Sequence, residues 1–586
     1  MTEFRVWAPV AEQVAVVLDE AEHQLSRAGG GWWSAELTDA TPGSDYGLRL
    51  DGSPDVLPDP RSRWQSDGVH GRSRVYDGAA FGWTDGTWRG LHLPGAVLYE
   101  LHVGTFTPGG TFDSALERLD HLVALGVDAV ELLPVAAFNG DRGWGYDGVD
   151  LYAVHAAYGG PDGLKRFVDG CHARGLGVVL DVVYNHLGPS GNYLSSFGPY
   201  FTEHHQTPWG AAINLDDEGS DDVRAFLVDN AVMWLRDFHV DGLRLDAVHA
   251  LVDDSAVHLL EELATRVEEL AAQVRRPLFL VGESDLNDIR LVRTREAGGL
   301  GLSGQWCDDV HHAVHSTVTG ETQGYYADFG SLATLAKALT GAFVHDGAWS
   351  SFRGRRHGRP VDRLLTPGSR FVSYLQDHDQ IGNRATGDRI SATVPIGRVL
   401  VGATLVLTAP FVPMLFMGEE WAASTPWQYF TSHPEPELAE AVRNGRRAEF
   451  ASHGWAAADV PDPQAESTFR DSVLPWHELD DDDHAAVLTV YRRLIALRRA
   501  TPELTDGRLD RCHATWSEQD RWFVLRRGAV AVVCNLADGR REVPVDGTPV
   551  ESLLATHAGF AYRAGFVDLE GDSACVVRLL PPAPPD

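Results

Sequence analysis

The chain has 586 residues, 83 of them acidic and 49 basic, for a formal net charge of −34. Such a surplus argues against nucleic acid and anionic membrane surfaces as partners, and no apolar stretch reaches the roughly 18 residues that a spanning helix needs. The five cysteines, Cys171, Cys307, Cys512, Cys534 and Cys575, are scattered without CxxC spacing, which excludes a disulfide framework or a thiolate zinc site. MTEFRVWAPVAEQV lacks a basic segment followed by an apolar one, so a cytoplasmic location is expected.

Residues 1–90 read as a small all-β domain, a sandwich. FRVWAP, VAVVLD, WWSAEL and DYGLRLDG are short β-prone segments separated by Gly-, Pro- and Asp-rich turns. From about residue 95 to 485 the pattern alternates strand and helix. VLYELHV (97–103), VDAVELLP (127–134) and LGVVLDVVYNH (176–186) are the first three strands. Helix 222–238 leads into GLRLDAVH (242–249), and helix 258–274 leads into PLFLVGES (277–284). FVSYLQ (371–376) and FVPMLFMG (411–418) read as the seventh and eighth strands; the sequence shows no clear sixth. Alternation of this kind implies a parallel sheet, and eight units imply a (β/α)8 barrel with long loops. Asp480–Asp483 precede a helix that ends in arginines, which complements the helix dipole better than it makes a cation site. Residues 486–586 hold that linking helix and a second β-rich segment, read as a C-terminal sandwich.

Three acids end three apolar runs: Asp246 in GLRLDAVH, Glu283 in PLFLVGES and Asp379 in FVSYLQDHDQ. Strand C-termini face the active site of a barrel. Carboxylates brought there by separate strands suit glycoside hydrolysis, which needs one group to attack and another to give and take a proton. Arg244 stands two residues before Asp246, so both side chains share one face of the strand. Glu283 at an apolar strand end is expected to be partly desolvated, which favours the protonated form of a general acid. The 17 Trp and 15 Tyr suit stacking on sugar rings as well as they suit a core.

These segments, together with DVVYNH (181–186), resemble the four signature regions of the α-amylase family of retaining glycosidases. The resemblance implies a nucleophile at Asp246, an acid/base at Glu283 and a transition-state stabiliser at Asp379. It implies substrate contacts from Asp181, His186, Arg244 and His378, and a sugar-stacking ring at Tyr146 in WGYD. Asp377 departs from the family, which usually has Asn there. Asn185 aligns with a calcium ligand of many amylases, but no acidic cluster in 187–215 is dense enough to complete a site, so neither a metal nor another cofactor is expected.

A narrower resemblance, to the maltooligosyltrehalose trehalohydrolases, rests on LYELHVGTFTPGGTF (98–112), GPYFTEHHQTPWGAAINLD (198–216) and WCDDVHHAVHSTVTGETQGYYADFG (306–330). It implies that maltooligosyltrehalose is cleaved to release trehalose, in sequence with a maltooligosyltrehalose synthase. A glucan branching or debranching enzyme is the alternative. Trp209 and Trp306 are candidates for the trehalose side, with ordinary packing equally open. Asp308, Asp309 and His311 form a polar cluster that either bonds trehalose or supports the site from behind.

Overall fold

The structure, a computed structural model, describes residues 1–451 and 459–580; the last stretch of the C-terminal module, 581–586, lies outside the described residues. The expected barrel is present. Its strands are β1 (Leu98–Leu101), β2 (Ala129–Leu132), β3 (Gly177–Val182), β4 (Gly242–Leu245), β5 (Phe279–Gly282), β6 (Gly304–Trp306), β7 (Phe371–Tyr374) and β8 (Val412–Phe416), closed into a ring by pairing of β8 with β1. Every residue of these strands is buried. That is why they read as continuous Val- and Leu-rich runs rather than as alternating ones.

The unseen sixth strand is β6. It is only three residues long and lies in GLGLSGQWC, where glycine dilutes the apolar signal. A long insertion separates it from β7 and carries helices Asp308–Thr319 and Leu332–Gly341 and a small hairpin of Trp349–Ser350 with Arg355–Arg356.

Two sheets form the N-terminal module. One joins Thr2–Trp7, Trp32–Leu37 and Ser26–Gly29; the other joins Ala21–Gln24, Val14–Leu18, Asp45–Leu50 and Ser73–Arg74. The C-terminal module pairs a five-stranded sheet with a three-stranded one. One continuous apolar core runs from Trp7 and Trp33 through the barrel to Leu525 and Val532, so the flanking modules share the barrel's hydrophobic stabilisation. The linking helix, Asp482–Ala500, is capped by Asp481, which accepts from the Asp483 N–H. At its far end Arg498 is buried and donates to the carbonyls of Leu407, Ala409 and Phe411.

At the N-terminal mouth of the barrel a buried polar knot ties the connecting segment down. His172 is held between Asp85, at 2.9 Å, and Asp241, at 3.0 Å. Trp88 donates to Asp241 at 2.7 Å and stacks on the His172 ring. Although burial opposes the charge, Asp241 and Asp85 outweigh it and hold the His172 imidazolium above the ordinary histidine range. The five cysteines are buried and free, and among the described residues no helix is long and apolar enough to cross a membrane.

Candidate active site

Parallel register decides which charged side chains meet inside the barrel. Glu100 of β1 lies beside Glu131 of β2, and Asp181 of β3 lies beside Arg244 of β4. Arg244 is fully buried. Its Nη1 donates to Asp181 Oδ2 at 2.7 Å and to Asp246 Oδ1 at 2.8 Å, and its Nη2 lies 2.8 Å from Glu283 Oε2. One planar guanidinium therefore fixes three carboxylates from three strands, a task its fork geometry suits. Burial works against that charge, but Asp181, Glu283 and Asp246 hold Arg244 well above the usual arginine range.

Asp246 follows the last residue of β4. Asn185 donates to its Oδ2 at 2.6 Å and to its carbonyl at 2.8 Å, so both carboxylate oxygens are held by donors. The Asn185 amide is thereby committed to Asp246, and its oxygen bonds His186 Nδ1. Ala247, next in the chain, sits in the left-handed region at φ 38°. That conformation is strained for a residue with a Cβ. It turns the Ala247 N–H onto Glu283 Oε2 at 2.9 Å. Glu283 is thus partly withdrawn from solvent, with 18% of its side chain exposed, as its apolar strand suggested, and it has polar neighbours in Arg244 and a backbone amide.

Asp379 stands beyond the end of β7, in the first turn of a short helix, His378–Gly382. Asp377 is that helix's N-cap and accepts from the Gln380 N–H at 2.7 Å. An aspartate serves as well as asparagine in that position, which accounts for the departure from the family pattern. The Asp379 carboxylate is open to solvent, 3.5 Å from His378 Nε2.

Tyr146 comes from the loop after β2. Gly145 lets that loop turn at φ 104° against the Pro134 carbonyl, which a Cβ would strike at 2.2 Å. The Tyr146 hydroxyl donates to Asp181 Oδ2 at 2.7 Å and lies 2.7 Å from His378 Nε2. Burial pushes Asp181 up to about 7, with Arg244 opposing and the Asp246 charge adding to the shift. His186 Nε2 lies 3.1 Å from the Tyr146 carbonyl. Trp209 stacks on the His186 ring at 4.8 Å with 51% of its surface exposed, so it stands at the rim where a sugar can reach it.

The cluster after β6 divides, and three of its members do not line the cleft. Trp306 is 3% exposed and packs under the Arg244 guanidinium at 4.3 Å and against Tyr374; it points into the barrel because it closes β6. Asp309 is buried, and its Oδ2 accepts from the amides of Val344 and His345 and from Asn287 Nδ2 at 2.7–2.9 Å. It fastens the following insertion to the loop after β5. His311 is buried between the Leu375 carbonyl and the Tyr326 hydroxyl. Only Asp308 faces the acids: burial, together with Glu283 and Asp379, pushes it up to about 7 against a hydrogen bond from Tyr374.

The chain as a whole is similar to known proteins along nearly its full length. Residues 65–206 match the alpha amylase catalytic domain, residues 1–67 match carbohydrate-binding module 48, the isoamylase N-terminal domain, and residues 507–577 match a domain of unknown function. The malto-oligosyltrehalose trehalohydrolase of Arthrobacter ramosus is 56% identical over 98% of this chain and 99% of its own length. That of Mycobacterium tuberculosis is 53% identical over the whole of both chains. The chain belongs to the malto-oligosyltrehalose trehalohydrolase family. A solved Salmonella typhimurium structure, provisionally named an alpha amylase, superposes with a TM-score of 0.90 at 38% identity, covering 99% of this chain and 97% of that one.

Beyond Glu283 the cleft wall holds residues that no sequence motif marks. Arg353 in the hairpin loop pairs with Asp285, two residues past Glu283. Phe352 beside it is 56% exposed and packs edge-on against Tyr325. Nothing local in SFRGRRHG marks them, because their place depends on the folding of the whole insertion. Glu100 and Glu131 were legible: each is a lone acid inside an apolar run, LYEL and AVEL, and both are buried. For metals, His205, Asp216 and Asp254 are the group whose ligand atoms lie within 4.8 Å of one another among the described residues. His205 and the Asp254 amide are already bonded to Asp216.

Proposed function

We propose that the protein hydrolyses the α-1,4 bond next to the terminal trehalose of maltooligosyltrehalose, with retention of configuration, releasing trehalose and a shortened maltooligosaccharide. The observation that carries this reading is the single buried guanidinium holding Asp181, Asp246 and Glu283 together at the C-terminal mouth of the barrel. Asp246, oriented by Arg244 and Asn185, attacks the anomeric carbon. Glu283 protonates the glycosidic oxygen, and trehalose leaves as the C–O bond breaks. Glu283, now a carboxylate, takes a proton from water. The hydroxide equivalent displaces Asp246 from the glycosyl ester, and two inversions retain the α configuration.

Asp379 holds sugar hydroxyls at the cleavage point, His378 backs that end of the cleft through Tyr146, and the Tyr146 ring supports the sugar there. His186 and the exposed Trp209 flank it. Asp308, Phe352 and Arg353 build the trehalose side. Such a cleft fits an uncharged oligosaccharide, for which a net charge of −34 neither attracts nor repels. The enzyme works in the cytoplasm on the product of a maltooligosyltrehalose synthase.

Product analysis tests the reading. Maltopentaosyl-trehalose is expected to give trehalose and maltopentaose with the α-anomer formed first. Its kcat/KM is expected to exceed that of maltoheptaose by at least ~50-fold, since two unpaired polar groups at a wrong aglycone cost ~1–3 kcal/mol each. Equal rates on the two substrates, or transfer of glucan chains in place of hydrolysis, would overturn it.

A further inference from the structure

Glu100 takes no direct part in the chemistry proposed above, yet it is among the most enclosed charged groups in the molecule, 1% exposed inside the barrel. Both of its oxygens are spent on one residue. Oε1 lies 2.5 Å from His378 Nδ1, and Oε2 accepts the His378 backbone N–H at 3.0 Å. A carboxylate that bonds ring and backbone of one histidine fixes both the position and the rotation of that ring.

The other ring nitrogen makes the protonation state matter. Tyr146 has one hydroxyl proton and two neighbours at 2.7 Å, Asp181 Oδ2 and His378 Nε2. Asp181 Oδ2 already accepts from Arg244 Nη1 at 2.7 Å, which marks it as an acceptor toward Tyr146 as well. If Nε2 were an acceptor too, the two would compete for one proton and one contact would be left unmade. If His378 is an imidazolium, Nδ1–H donates to Glu100, Nε2–H donates to the Tyr146 oxygen, and Tyr146 donates to Asp181. Every contact is then satisfied. The chain continues from Asp181 to Arg244 and so to Asp246 and Glu283.

We propose that Glu100 is a positioning residue: it keeps His378 a doubly donating imidazolium and so locks Tyr146 and Asp181 against the Arg244 fork. The inference rests on the proposed placement of His378 at the sugar-binding end of the cleft. His378 is raised to about 10, because Glu100 and then Asp379 outweigh the burial that would neutralise it. The ionisable groups around it are Glu100 on β1, Glu131 on β2, Tyr146 in the loop after β2, Asp181 on β3, and its own neighbours Asp377 and Asp379. His102 also lies close enough for the two rings to repel. Glu131 does not substitute for Glu100: neither of its oxygens has a hydrogen-bond partner, and burial first and the Glu100 charge second push it well above the carboxylate range.

The test compares Glu100→Gln, His378→Asn and the double variant with wild type, using kcat/KM on maltopentaosyl-trehalose from pH 5 to 8. Glutamine keeps the shape of the side chain and removes its charge. The wild-type-to-Glu100→Gln ratio is expected to grow at least ~10-fold across that range, since a histidine without its counter-charge loses its proton as pH rises. Taking ratios removes whatever pH dependence the two proteins share. On the His378→Asn background, Glu100→Gln is expected to cost less than ~3-fold further. A deficit that is the same at every pH, or one that persists undiminished on the His378→Asn background, would overturn the inference. Should Glu100→Gln fail to fold, Glu100→Asp, which keeps the charge, is used in the same cycle; a pH-independent deficit undiminished on His378→Asn again overturns it. If His378→Asn alone is fully active, the placement of His378 is wrong, and that failure is distinct from a failure of Glu100.

Discussion

Replacing Arg244 by lysine keeps the positive charge and removes the fork. The guanidinium makes three contacts at 2.7–2.8 Å, to Asp181, Asp246 and Glu283, from two nitrogens that lie in one plane. A lysine ammonium is a point charge on a stem without that plane, and it can satisfy one of these partners well. One charge-assisted hydrogen bond, worth roughly 1.5–3 kcal/mol, and the ion pair to Glu283, of about the same worth beside a buried guanidinium, are then lost. Trp306 also loses the flat cation at 4.3 Å above its ring. If those contacts position the attacking and proton-donating groups, the loss of about 3–6 kcal/mol appears as a fall of ~10²–10⁴ in kcat. Initial rates of trehalose release, with far-UV circular dichroism and gel filtration to establish that the fold is intact, measure it. The charge is retained at a buried site, so the variant is expected to stay folded. A folded Arg244→Lys protein with more than a tenth of wild-type kcat would refute the reasoning, because the three contacts would then hold nothing that matters to the reaction.

Asp246→Asn and Glu283→Gln are each expected to lower kcat by at least ~10³ with the fold intact, read in the same trehalose assay. Phe352→Ala is expected to reduce kcat/KM on maltopentaosyl-trehalose about tenfold or more while changing maltoheptaose cleavage little. Asp309→Asn, which disturbs three buried hydrogen bonds, is expected to lower the urea midpoint and to affect both substrates alike. A fifth prediction concerns pH. A raised folded-state value for His172 gives stability that is complete below its unfolded value of about 6.5 and is lost as pH rises through the folded one. The urea midpoint of wild type is therefore expected to exceed that of His172→Gln by more at pH 6 than at pH 9, and a difference that widened with pH would show the wrong sign.

Much of this protein is written locally. A buried parallel strand must be apolar on both faces, so β1 to β5, β7 and β8 stand out as short Val- and Leu-rich runs. A carboxylate just past such a run is anomalous enough to be noticed, which is how Asp246 and Glu283 come forward. Arg244 follows from the two-residue period of a strand. Asp379 is found by its neighbours, although it lies in a helical turn beyond β7. What the tertiary structure alone decided is which polar residue faces the cleft and which faces the core. Trp306, Asp309 and His311 form one polar and aromatic run with Asp308, yet the short β6 and the helix after it turn only Asp308 toward the acids. The other three serve Arg244, the insertion loop and Tyr326. Glu100 and Glu131 are equally conspicuous in sequence, but only barrel closure gives one of them His378 and leaves the other without a partner. Phe352 and Arg353 reach Asp285 through a fold-back of the insertion that no local pattern encodes. Periodicity specifies burial along one element; the direction a loop side chain takes is set by distant backbone that fixes it, and that is a property of the assembled barrel.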